Sequence, residues 1–129
     1  MSASEESAIR AAVHAFVDAR RLVHDVFATA SAAELVQRVI RGEIPREGSL
    51  GQGVAYAVHG VGFTVVGADG AQVHIDSCDQ LDCFNVYDIR MYLSELVDEL
   101  PSISTISEIC DRCGAEGLIR KVDDVTYAI

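Results

Sequence analysis

Apolar residues recur at helical spacing up to residue 40, alternate one-in-one-out from Val54 to Asp76, and return to helical spacing after Cys83. A helix repeats its buried stripe about every 3.6 residues and a half-buried strand every 2, so the switch of period divides the chain into helical, sheet and helical stretches. The implied class is α+β: N-terminal helices, a small antiparallel β-meander, two further helices and a C-terminal β-hairpin, in a single domain of residues 1–129.

From Ser4 to Ala28 a stripe of Ile9, Val13, Phe16, Val17, Val23, Val26 and Phe27 predicts a long helix, with Arg10, Asp18, Arg20, Arg21 and Asp25 mostly off it. Such a stripe fits packing on its own chain or on a second copy, so a homodimer is open. Ser31 and Glu34 read as a capping box for a short helix through Leu35, Val36, Val39 and Ile40 that Gly42 and Pro45 end. Ile44–Gly53 has the composition of a mobile connection. VAYAVHG, GFTVVG and AQVHID read as strands, the last two joined by the turn pair Asp69-Gly70. Asp82 is placed to cap a helix from Cys83 to Leu100, with Val86, Ile89, Leu93, Leu96, Val97 and Leu100 inward and Pro101 as the stop. Thr105 and Glu108 suggest a further capping box, for a helix carrying Ile106, Ile109, Cys110 and Cys113 and ending near Gly117. The tail forms a hairpin turning at Asp123-Asp124.

The net charge of −10 is uneven. Residues 1–50 hold seven acids and six bases, residues 51–100 eight acids and Arg90 alone, and residues 101–129 five acids and three bases. A field of this sign repels nucleic-acid phosphates and anionic membranes and steers cationic proteins toward itself. No apolar run reaches the roughly 18–20 residues that span a bilayer, and the N-terminus is acidic where a secretory signal is basic. A cytoplasmic protein with reduced thiols is expected.

The stretch HIDSCDQLDCF (His74–Phe84) concentrates potential chemistry: one imidazole, three carboxylates and two thiols. Four thiolates, Cys78, Cys83, Cys110 and Cys113, are enough for tetrahedral zinc, which is the alternative to having no cofactor. Cys110 and Cys113, however, follow Ile106 and Ile109 at helical spacing, which places them in the core as small hydrophobes. Asp76, Asp79 and Asp82 lack the order of a calcium loop. They read instead as an anionic patch with Asp69 and Asp88, offered to a basic partner. His59 and His74 are the plausible general bases near a Cys or carboxylate, so an enzyme would use them with Cys78. No nucleotide, zinc-protease or serine-hydrolase motif occurs. The helix, helix, hairpin order at the C-terminus resembles a winged helix, but Arg112, Arg120 and Lys121 stand against five acids there, so nucleic acid is not the expected partner.

YAVHGVGF, DGAQVHID, LDCFNVYDIRMYL and GLIRKVDDVTYAI together resemble a bacterial family of unknown function with a histidine-glycine-x-glycine strand turn, an aspartate-ended strand, an aspartate-x-phenylalanine helix opening and a tyrosine-rich final strand. The resemblance covers roughly residues 54–129 and matches His59, Gly60, Gly62, Asp76, Asp82 and Phe84. Cys83 stands where that family more often has glycine, and Tyr87 where it more often has tryptophan. It implies an association with proteins regarded as immunity proteins to polymorphic toxins, and no catalytic role. The resulting expectation is an acidic, non-catalytic protein that neutralises a basic toxin domain by protein–protein contact. The alternatives are a small metal- or thiol-dependent enzyme using His59, His74 and Cys78, or a winged-helix-like regulator.

Overall fold

A computed structural model describes residues 3–29 and 31–129 and has the α+β class read from the sequence. Among the described residues four helices, α1 (Ala3–Phe27), α2 (Ala32–Ile40), α3 (Val86–Leu93) and α4 (Ile103–Ala115), accompany seven strands. The strands are β1 (Glu47–Gly51), β2 (Val54–His59), β3 (Gly62–Val66), β4 (Gln72–Asp76), β5 (Cys83–Asn85), β6 (Arg120–Lys121) and β7 (Thr126–Ala128). The chain gathers into two compact units, Asp18–Asp82 and the pair of segments Met1–Val17 with Cys83–Ile129.

In the unit Asp18–Asp82 an antiparallel meander runs β1-β2-β3-β4. Its alternation buries Tyr56, Val58, Phe63, Val65, Val73 and Ile75 on one face. Ser31 caps α2 by accepting from the Glu34 amide at 3.3 Å. The Glu34 carboxylate does not complete a reciprocal box; it accepts from the Thr29 hydroxyl at 2.9 Å, and Thr29 Oγ1 accepts from the Ser31 amide at 3.2 Å. Gly42 (φ +75°) ends α2 in a Schellman arrangement, with Gly42 N–H on Val39 O and Glu43 N–H on Arg38 O. Leu35, Val36 and Val39 are buried as expected, but Ile40, at the last helical position, is exposed. The stretch expected to be a mobile connection is instead partly strand: Glu47–Gly51 pairs with β2 through a register shift between Ser49 and Gly51. Its glycines hid the strand from a propensity argument, and Gly48 is what lets the Tyr56 ring lie close, since a Cβ there would meet Tyr56 Cε1 at 3.1 Å.

The other unit has the order helix, strand, helix, helix, strand, strand, with sheet order β5-β7-β6. That is the connectivity of a winged helix, with α4 in the recognition-helix position and the β6–β7 hairpin as the wing. Phe16 meets Phe84 and Tyr92 edge-on, at centroid distances of 5.9 and 5.5 Å, and Phe84 stacks on Tyr127. Arg10 pairs with Glu116, and Arg112 bridges Glu6 and Glu108.

Several boundaries differ from expectation. Cys83–Asn85 is strand, because its backbone pairs with β7, so the helix opens three residues later and Asp82 is not its cap. Asn85 is: its side chain accepts from the Asp88 amide at 2.9 Å while Asp88 Oδ2 accepts from the Asn85 amide at 3.0 Å, a complete capping box. The same helix stops at Leu93, where the Ser94 hydroxyl bonds back to Met91 O at 2.6 Å, a local bond that competes with helix continuation. Val86, Ile89 and Leu93 are buried, but Leu96 and Leu100, expected inward, lie beyond the helix and are exposed. Ser102, not Thr105, caps α4, and Gly117 closes it in a second Schellman arrangement. In α1, Arg20 is buried and Val26 exposed, the reverse of the stripe reading. The stripe residues Ile9, Val13, Phe16, Val17 and Val23 are buried as expected.

Candidate functional site

Strand register brings the two expected histidines together. β2 and β3 set His59 opposite Gly62 and Ala57 opposite Thr64, while β3 and β4 set Thr64 opposite His74 and Gly62 opposite Asp76. Alternation then places His59, Gly62, Thr64, His74 and Asp76 on the face away from the buried side chains. His59 is one diagonal step from Thr64, within reach of an imidazole. His59 Nε2 lies 2.6 Å from Thr64 Oγ1, which lies 2.8 Å from His74 Nδ1. A hydroxyl has one proton, so at most one ring accepts it, and the other ring must donate its N–H to Oγ1. At least one imidazole therefore donates to the hydroxyl, and the three groups form a hydrogen-bonded chain, His–Thr–His, with Thr64 only 7% exposed beneath two exposed rings. Thr64 is the residue that sequence reasoning missed; the register fixed by the Asp69-Gly70 turn, which pairs Thr64 with His74, was the signal for it.

The two motif glycines serve different needs. Gly60 turns the β2–β3 hairpin at φ +55°, and a Cβ there would meet nothing within 4 Å, so its requirement is conformational. Gly62 requires space: a Cβ would come within 2.6 Å of Ile75 O and 3.1 Å of Asp76 Cα. Phe84, a third motif position, belongs to the aromatic packing described above.

The expected acidic residues fall in different places. Asp76 and Asp79 share a turn, Asp79 Oδ2 accepting from the Asp76 amide at 3.0 Å. Asp69 lies at the opposite end of the β3–β4 hairpin, five residues of strand away, or roughly 15 Å. Its Oδ1 accepts from the Ala71 amide. Asp82 is exposed, and Asp88 sits in the α3 capping box of the other unit. Among the described residues no ion pair engages Asp69, Asp76, Asp82 or Asp88.

Among the described residues none of the four cysteines forms a disulfide. Cys78 is exposed, while Cys110 and Cys113 are buried in α4, as their spacing predicts. Burial, with smaller contributions from Cys113 and Asp111, pushes the Cys110 thiol up to about 12. Burial likewise raises Cys113. Among the described residues no three His, Cys, Asp or Glu side chains are grouped to hold a metal ion.

A second polar constellation lies in the winged-helix unit, where Tyr127 donates to Asp111 Oδ1 at 2.6 Å and Lys121 Nζ stands 3.2 Å from the same oxygen. The Tyr127 hydroxyl, then Lys121, hold the Asp111 carboxyl below the usual carboxylate range. Burial, then Asp111, raises the Tyr127 phenol. Gly114, Ala115, Ile119 and Arg120 join these three around a cleft of about 400 Å³. On α4 itself, Arg112 is engaged by Glu6 and Glu108, and the wing tip presents Asp123 and Asp124.

Fold and sites define an α+β protein with a four-stranded antiparallel meander in one unit and a three-stranded sheet with helices in the other. The chain belongs to the family described as Domain of unknown function (DUF6896), which matches residues 9–128. No curated protein matches it, and no solved structure does. Among the described residues no helix is long and apolar enough to cross a membrane.

Proposed function

We propose that this is an acidic, non-catalytic binding protein that acts in the cytoplasm and neutralises a basic toxin partner by direct contact. The observation that carries the reading is a set of carboxylates that, among the described residues, form no ion pair, namely Asp69, Asp76, Asp82 and Asp88, in a chain of net charge −10. Uncompensated carboxylates at a surface speed capture of a cationic partner and select against anionic ones. The resemblance of residues 54–129 to proteins regarded as toxin immunity proteins points the same way. Nucleic acid and membranes are not its partners on this reading, and it needs no cofactor.

The test is co-expression with the product of the neighbouring open reading frame. Growth rescue by the native chain and a slower, less salt-sensitive association for the Asp76→Lys, Asp79→Lys, Asp82→Lys variant are expected. Unchanged rate and salt dependence remove the reading.

The His59–Thr64–His74 chain favours one alternative, an enzyme that uses the two imidazoles to move a proton. Cys78, two residues beyond Asp76, would be its thiol. Hydrolytic or transferase activity abolished by His74→Gln with the fold intact would establish it, and retained activity would exclude the imidazole's part.

A further inference from the structure

α3 turns large apolar side chains outward. Val86, Ile89 and Leu93 are buried, while Tyr87 and Met91 are 56% and 75% exposed. They stand four residues apart, adjacent on one helical ridge. Leu96, in the turn that follows, is 63% exposed. Tyr and Met are enriched where proteins meet, and the thioether adapts to irregular partners. Scattered apolar residues are ordinary on a surface, so the argument depends on what surrounds these.

Their neighbours in sequence are Asp88, Glu95, Asp98 and Glu99, none of which forms an ion pair among the described residues. Arg90 is the one base between Cys83 and Leu100, and its Nε donates to Pro101 O at 3.3 Å. An exposed apolar ridge in a segment whose charged residues, Arg90 apart, are carboxylates is complementary to a segment with an apolar stripe and flanking lysines or arginines. A second helix meets the geometric need, because an i, i+4 ridge packs into the groove between the ridges of another helix.

We propose that the Tyr87–Met91 ridge of α3 is a docking surface for a basic amphipathic helix of the partner. The proposal rests on the reading of a basic partner and adds the surface that holds it: Tyr87 and Met91 govern how long the complex lasts.

The experiment uses the full chain and a synthetic leucine–lysine peptide whose leucines follow helical spacing, with a peptide of the same composition but dispersed leucines as control. Binding is read by fluorescence anisotropy and stopped flow. The expected result is preferential binding of the amphipathic peptide, with dissociation about tenfold or more faster for the Tyr87→Ser, Met91→Ser variant and for Met91→Lys. Because both side chains are solvent-exposed, the variants should keep the native thermal transition, which circular dichroism checks. Equal binding of the two peptides, or dissociation from the variants as slow as from the native chain, overturns the docking surface while leaving the basic-partner reading intact. Failure of both peptides to bind overturns the two together. A concentration-dependent dimer of the native chain that Met91→Lys dissociates also overturns it, by showing that a second copy covers the ridge.

Discussion

Tyr127 and Asp111 join the last strand to the fourth helix through a 2.6 Å hydrogen bond in which the phenol donates to a carboxylate. A charge-assisted bond of this kind contributes more than a neutral one, and Tyr127 is fully buried around it. Tyr127→Phe should therefore lower stability by about 1–2 kcal/mol in urea denaturation. The Asp111 carboxyl is held below its ordinary value, so its contribution is complete above about pH 4 and disappears as pH falls through the lowered folded value. The difference between wild type and Tyr127→Phe should accordingly narrow in strong acid.

Asn85, and not Asp82, opens the third helix. Asn85→Ala should destabilise the fold by about 1 kcal/mol, the ordinary value of a lost N-cap. Asp82→Ala, by contrast, should stay within about 0.5 kcal/mol, as surface substitutions usually do. Equal effects of the two in thermal melts would contradict the capping box.

Thr64→Val removes the hydroxyl shared by His59 and His74 while keeping the β-branched shape. A loss of about 1 kcal/mol is expected, together with a change in the nitrogen resonances of both imidazoles, and Thr64→Ser should restore the native pattern. A change confined to one ring would contradict the shared hydroxyl.

Gly60→Ala and Gly62→Ala separate conformational from steric need. The first should cost about 1 kcal/mol for the positive φ. The second, forced against Ile75 O, should cost about 2–3 kcal/mol and disturb the β3–β4 amide signals.

Thiol reactivity should follow burial: Cys78 reacts first with an alkylating reagent, and Cys110 and Cys113 react only on unfolding. The folded state keeps the Cys110 proton up to about pH 12, against an ordinary value of 9.0. Its contribution to stability is therefore complete below about pH 9 and is lost as pH rises toward 12. Cys110→Ala should flatten the alkaline limb of the stability profile.

Periodicity located the four helices of the described residues and the strands β2, β3 and β4, because a period reports which face is buried. It was silent where tertiary pairing overrides local preference. Gly48 and Gly51 conceal β1, whose strand exists because β2 offers it hydrogen bonds. Cys83–Asn85 continues a helical pattern in sequence yet pairs with the final strand some forty residues on. For the candidate site, His59, His74 and Asp76 could be named from residue type, but Thr64 needed register. The carboxylates could be counted in the sequence, although it could not show that Asp69 lies at the far end of a hairpin or that Asp88 serves a cap.

One unit is assembled from both ends of the chain, Met1–Val17 with Cys83–Ile129, while Asp18–Asp82 is contiguous. A ribosome adding about 5–20 residues per second releases the contiguous piece first and leaves the apolar positions of the leading helix, Ile9, Val13 and Phe16, waiting several seconds for Phe84, Ile109 and Tyr127 to be made. Closing so long a loop slows folding, so this chain should be more exposed to aggregation and more dependent on chaperones during synthesis than a contiguous domain of equal size.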